Sequence, residues 1–346
     1  MTAPPARPSV SRFRINVTYY VTFCLAAAGA LGAGAAGAAG DAGDPAPAKA
    51  AGSAESAELF RLGKELFEQM APPEVKAQYD FPTQEQWDAM AERLQRALAG
   101  DSMAELGAVA ADARSALTAL RAIPGYEDLA DWLEQRLDEM EGARQALAPA
   151  PGLPPGPQPP LRPDAPRPAA VQPVPHYNLW LARVSGRPLP GRARELMPRL
   201  QTAFRAEGVP AELAWLAEAE SSLNPAARSP AGAKGLFQFM PDTAKAMGLS
   251  TILPDDRTDP ERSAHAAARY LKSLHGRFGN WALALAAYNA GEGRVSRTLA
   301  AQHASTFTAI ADALPAETRM YVPKVCALIA TRAGVTPDRI APPQKN

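Results

Sequence analysis

Residues 217–244 read AEAESSLNPAARSPAGAKGLFQFMPDTA. An alanine- and glutamate-rich run stops at Asn224-Pro225 and gives way to a loop of small residues, prolines and aromatics. Upstream, Pro210 suits the first turn of a helix, and AELAWLAEAESSL continues that helix until Asn224-Pro225 ends it. With Glu220 at zero and about 100° per residue, Leu213 falls near about +20°, Leu216 about −40°, Ala217 about +60° and Leu223 about −60°. Glu220 therefore sits in the middle of the apolar face. Glu218 falls at about 160°, on the side expected to be solvated.

A carboxylate on a buried face must find partners or stay protonated, because desolvation disfavours its charged form. Two readings follow. Glu220 is a general acid at neutral pH, or it is a structural glutamate paired with an arginine such as Arg228 or Arg319. The loop that follows favours the first. Gly232 and Gly235 let backbone approach a ligand closely, and Gln238 offers an amide donor and acceptor between Phe237, Phe239 and Met240. An apolar wall with a few placed polar groups suits a sugar or another small molecule.

The segment ESSLNPAARSPAGAKGLFQFMPDTA resembles the signature of the lytic transglycosylases that carry a soluble-lytic-transglycosylase, lysozyme-like catalytic domain. Two later segments follow in that family's order. DPERSAHAAARYLKSLHGRFGNWALALAAYNAGEGRV resembles the helices across the cleft and includes Ala-Tyr-Asn-Ala-Gly at 287–291. LPAETRMYVPKV, 314–325, resembles the closing segment of the subgroup like membrane-bound lytic murein transglycosylase D. The resemblance covers about residues 205–328, and the sugar-binding LysM repeats common in that subgroup are absent from the sequence.

The resemblance implies cleavage of the β-1,4 bond between N-acetylmuramic acid and N-acetylglucosamine in peptidoglycan without water, leaving a 1,6-anhydromuramic end. It makes Glu220 the single acid and then base, with the substrate's N-acetyl group assisting at the anomeric carbon. Ser229, Gln238, Met240, Tyr288, Asn289 and Tyr321 fall on family positions that line the cleft. By the same carry-over, Ser229 contacts the N-acetyl group or steadies the glutamate. Gln238 and Asn289 hydrogen-bond the sugar, and the tyrosines stack on ring faces or hold Glu220. Two alternatives stand beside this one. A goose-lysozyme-like muramidase would add water and need a second carboxylate, for which Asp255, Asp256 and Asp259 are the candidates. A peptidoglycan-binding protein without activity would keep the fold alone.

The rest of the chain organises around that domain. Arg7, Arg12 and Arg14 precede an apolar run that fades into alanine and glycine before Asp41, so residues 1–40 read as a cleaved signal peptide or a membrane anchor. Phe23 occupies the position before Cys24 where a lipoprotein signal needs a small residue. Either outcome places the chain in the periplasm or cell envelope. Residues 41–56 read as a flexible leader. Over 57–148, Leu59, Leu62, Leu66, Phe67 and Met70, then Trp87, Met90, Leu94 and Leu98, then Leu106 and Val109, Leu117 and Leu120, and Leu129, Leu133, Leu137 and Met140 recur at helical spacing. Three or four amphipathic helices packed as a small bundle account for this, with charged residues on a solvated face and no assigned partner. Residues 149–176 are a proline-rich linker, a stiff spacer separating two domains. Residues 177–340 carry helix signals almost throughout, so the fold is mainly α: a lysozyme-like helical catalytic domain preceded by a small bundle.

With 36 basic and 36 acidic side chains, the chain has no global field to draw it to nucleic acid. His176, His265, His275 and His303 lack metal-ligand spacing, and no metal or cofactor is expected. Peptidoglycan glycan strands are the partner implied.

Overall fold

In the computed structural model of the chain, the described residues are 83–121, 127–148, 174–229 and 231–344, with isolated positions at 60, 61, 64 and 68. The segment 1–40, the leader, the leucine period between 59 and 70 and most of the linker lie outside them. Among the described residues the chain is helical, with only two isolated bridges, Arg228 with Lys234 and Lys234 with Phe239. No helix among them is long and apolar enough to cross a membrane.

Among residues 83–148, the described helices are α1 (Gln84–Ala99), α2 (Met103–Ala108), α3 (Ala110–Arg121) and α4 (Glu127–Leu147). The sequence PTQEQ starts α1 through a capping box, in which the Thr83 hydroxyl accepts from the Gln86 amide while the Gln86 side chain accepts from Thr83. Ser102 caps α2 in the same sense. The leucine period turns Leu106, Leu133, Leu137 and Met140 inward, and α4 packs against both α2 and α3.

After the linker come α5 (Tyr177–Val184), α6 (Ala193–Ala206), a 3₁₀ turn (Ala211–Trp215) and α7 (Leu216–Ser221). They are followed by α8 (Pro241–Ala246), a second 3₁₀ turn (Asp256–Thr258), α9 (Pro260–Phe278), α10 (Trp281–Ala290), α11 (Glu292–Ala301), α12 (Phe307–Ile310) and α13 (Ala316–Ala333). Asp259 caps α9 by accepting from the amides of Glu261 and Arg262, and Asn280 caps α10. The alanine-rich α10 is buried along most of its length, so neighbouring helices approach its backbone closely. Helix α13 runs through the middle and touches α1, α4, α5, α7 and α10.

Two expectations require correction here. The linker does not hold two units apart: one continuous core includes residues from both sides of it, from Ala97 to Ile340. On α4, a Cβ at Gly142 would lie 2.9 Å from the Trp180 ring, so its absence lets α5 seat against α4. Arg183 and Arg187 of the α5 region then reach Asp138 at 3.2 and 2.6 Å. Nor are the charged residues of the bundle all solvated, since Glu139 is fully buried and Arg136 and Asp138 are mostly covered. The charges on that side of α4 meet complementary groups on α5 and α13, a long-range pairing that no pattern within 57–148 reveals.

Candidate active site

Glu220 lies near the end of α7 and is buried together with Leu213, Leu216, Ala217 and Leu223, the residues placed on its helical face by the sequence. The helix is less regular than the sequence suggests. A 3₁₀ turn supplies its first five residues, and it ends in two left-handed residues, Ser222 at φ 49° and Leu223 at φ 60°. Neither is glycine, so the backbone there is held in a sparsely populated region by its surroundings. Ser221 supplies part of the hold, its buried hydroxyl donating to the carbonyls of Ala217 (3.0 Å) and Leu236 (2.9 Å). That bond ties the helix end to the loop opposite.

Glu218 corrects a third expectation. It does not face solvent: Arg332 of α13 donates to both its carboxylate oxygens, at 2.7 and 2.9 Å, and its side chain is 9% exposed. Helix α13 passes behind α7 and covers that face.

The loop 227–240 is braced from below. Arg257 Nη1 donates to the carbonyls of Gly232 (2.9 Å) and Phe239 (3.2 Å), while its fork pairs with Asp255. Gly235 is required at φ 79°, because a Cβ would fall 1.8 Å from the Arg257 carbonyl oxygen. Gln238 sits at φ 47°, and its amide nitrogen donates to Gly235 O (2.9 Å) and Ala227 O (3.3 Å). The Ser229 hydroxyl accepts from the Ala233 amide at 3.0 Å. Met240 is half-buried and begins α8.

Across from the loop, Tyr288 of α10 donates to the Phe237 carbonyl at 2.7 Å, with its ring 5.4 Å from Tyr270 and 6.4 Å from Phe239. Beside it, Asn289 Oδ1 accepts from the Thr318 hydroxyl at 2.7 Å. Tyr321 of α13 donates its hydroxyl to Glu220 Oε1. Its ring is 1% exposed and takes the part of holding the glutamate, with no open face for stacking.

Burial is the largest influence on Glu220 and pushes its carboxyl up to about 7 from an ordinary 4.5. The Tyr321 hydroxyl, Arg136 and Lys324 pull the other way without cancelling it, and Glu139 adds to the rise. Tyr321 and Tyr288 are themselves pushed well above the ordinary phenol value, first by burial and then by the nearby Glu220. Both stay protonated as donors. Burial works against the charge on Arg136, but Glu317, Glu139 and Glu220 outweigh it and raise its pKa.

The arginines first considered as partners for Glu220 are elsewhere. Arg228 is 3.9 Å from Asp128, and Arg319 pairs with Asp312 and the Asp101 carbonyl. Arg136, Glu139 and Lys324 instead surround the glutamate electrostatically, and none was singled out from the sequence. Only the spacing of Glu317, Tyr321 and Lys324 along one face of α13 hints at them.

Residues 200–310 match the family model described as Transglycosylase SLT domain. This segment is similar to SLT-type domains. The membrane-bound lytic murein transglycosylase D of Escherichia coli strain K12 is 37% identical over 143 residues, covering 40% of this chain and 31% of that protein. The soluble lytic murein transglycosylase of Salmonella typhimurium is 40% identical over 121 residues, covering 32% of this chain and 19% of that protein. The chain thus spans less than a third of the length of these relatives. The crystal structure of a soluble lytic transglycosylase from Escherichia coli aligns with a TM-score of 0.38 at 20% identity, over 94% of this chain and 52% of that one. Glu220, the loop, Tyr288 and Asn289 fall inside the SLT match; Tyr321 lies just beyond it, and Arg136 and Glu139 lie well before it.

Proposed function

We propose that this chain cleaves the β-1,4 bond between N-acetylmuramic acid and N-acetylglucosamine of peptidoglycan without water, leaving a 1,6-anhydromuramic end. The observation that carries the reading is Glu220 itself, a buried glutamate poised near neutrality in an SLT-type domain. Protonated, it gives its proton to the glycosidic oxygen as the bond to C1 breaks. The C6 hydroxyl of the same sugar then attacks C1, and its proton passes to the Glu220 carboxylate, restoring the acid. Tyr321 keeps one oxygen of the carboxyl in a fixed direction through both steps. The walls formed by the loop with Gln238 and Met240, and by Tyr288 and Asn289, receive the sugars flanking the bond, with Ser229 steadying the loop.

The state of the neighbouring aspartates favours this route over hydrolysis. A hydrolase of this shape needs a second carboxylate free to orient water. Asp255 is locked between Arg257 and Lys234, Asp256 accepts from Arg262 and the Ser250 amide, and Asp259 caps α9. An attached hydroxyl needs no such group, because its effective concentration at C1 is already high. The apolar N-terminal run fits a chain that works on such a substrate in the cell envelope.

Purified full-length chain incubated with peptidoglycan is expected to release muropeptides lighter by one water than those of a muramidase digest. Glu220→Gln should bind glycan and release nothing. Hydrated ends in the wild-type digest, or an active Glu220→Gln, would overturn the proposal.

A further inference from the structure

Helix α4 precedes the SLT match, yet it grips the helix that carries Tyr321 one turn to either side of that residue. Arg136 Nη1 lies 3.3 Å from Glu317 Oε1, one turn before Tyr321. Lys324, one turn after, donates to Glu139 Oε1 at 2.7 Å and to the Gln135 carbonyl at 3.3 Å, with Asp138 at 3.8 Å. Both members of the second pair are buried, Lys324 to 4% and Glu139 to 0% exposure. Between them, Thr318 carries the same helix face on to Asn289.

We propose that α4 is a working part of the active site, with Arg136 and Glu139 as positioning residues that hold the helix presenting Tyr321 to Glu220. The inference rests on the reading of Glu220 as the acid. Stability alone is a poor account of the arrangement. Buried ion pairs repay their desolvation badly and an apolar pair of similar volume often serves stability as well, while Glu139 Oε2 is buried with no hydrogen-bond partner among the described residues. Placement around Glu220 gives a better one. The charged and titratable groups that act on it are Arg136 and Glu139 from α4, Lys324 and Tyr321 from α13, and Tyr288 from α10. Two of the three charges come from α4, which precedes the SLT match, and they have opposite signs.

That opposition makes the test specific. Full-length chain is assayed against soluble, uncrosslinked glycan strands, with kcat and KM measured across pH for Arg136→Met, Arg136→Lys, Glu139→Gln and Glu220→Gln. Arg136→Met and Glu139→Gln are expected to lower kcat about tenfold or more with little change in KM, as misplacement of a catalytic group does. The alkaline limb of kcat/KM should move up in Arg136→Met, which removes a positive charge, and down in Glu139→Gln, which leaves Lys324 uncompensated. Arg136→Lys should return the limb to its wild-type position. Wild-type kcat, or limbs that stay put or move together, would show a merely structural role and overturn the inference. If either variant does not fold, Glu317→Gln takes its place, freeing the Arg136 charge from its partner at the clamp's other end. A lowered limb then supports the inference, and an unchanged profile overturns it. Should Glu220→Gln keep wild-type turnover, the functional reading fails first; should it be inactive while the α4 variants match wild type, the inference alone fails.

Discussion

Glu220→Gln should make the protein more stable, and only at the pH where Glu220 would be charged. The carboxyl stands at about 7 in the folded chain against an ordinary 4.5. Below about 4.5 the group is neutral whether the chain is folded or not, and its protonation contributes nothing different to the two states. Between 4.5 and about 7 the unfolded chain ionises while the folded one holds its proton, so folded stability falls as pH rises, and the loss is complete above about 7. At about 1.4 kcal/mol per pKa unit, the gap amounts to roughly 3 kcal/mol. Glutamine keeps the shape, can accept from Tyr321, and never ionises. Denaturant unfolding of wild type and variant at pH 4 and pH 8 measures the effect. The expected result is near equality at pH 4 and an advantage for the variant of about 2–3 kcal/mol at pH 8, accompanied by loss of turnover. Equal stability at pH 8, or an advantage of the same size at both pH values, would refute the picture of a glutamate held neutral by burial.

Three further outcomes follow from the same geometry. Tyr321→Phe removes a hydrogen bond that favours the ionised glutamate, so the alkaline limb of activity should rise by about one pH unit, read from rate–pH profiles. Gly235→Ala forces a Cβ onto the Arg257 carbonyl at a left-handed position and should cost at least about 2 kcal/mol in denaturant unfolding. Asp255 is held below the ordinary carboxylate range, first by its hydrogen bond from Arg257, so its contribution to stability is present at neutral pH and lost as pH falls below about 3.8. Asp255→Asn should therefore lower the melting temperature at pH 7 and flatten its dependence on acid, while the anhydro product is unchanged.

The helical class and the burial of Glu220 were legible because both are local. A 3.6-residue period records which face of one helix is covered, and the covered face around Glu220 holds Leu213, Leu216, Ala217 and Leu223 as the spacing requires. The caps at the starts of α1, α9 and α10 are local features of the same kind. Periodicity fails where a second element decides the environment. Glu218 looks solvated on its own helix, yet Arg332, a partner 114 residues away, encloses it. Arg136 and Glu139 look like surface charges on α4 until α13 is laid against them. The left-handed pair at Ser222 and Leu223 was equally invisible, since neither residue type favours that conformation and its support includes the Ser221 bridge to the distant loop. Roles of individual cleft residues were suggested by family resemblance, and the geometry sharpens them: Gln238 has its amide nitrogen engaged within the loop, and Tyr321 faces the acid rather than open space.

The groups around Glu220 are scattered along the chain. Tyr321 follows it by 101 residues, and the pair of Glu139 with Lys324, one turn beyond Tyr321, joins positions 185 residues apart. During synthesis from the N-terminus, the glutamate is made long before the tyrosine that orients it, and the helix α4 waits longer still for its counterpart. A centre assembled in this order stays incomplete until α13 has emerged, so a prematurely terminated product lacking α13 carries Glu220 without the hydroxyl that fixes its direction. Delay is thus written into the topology itself.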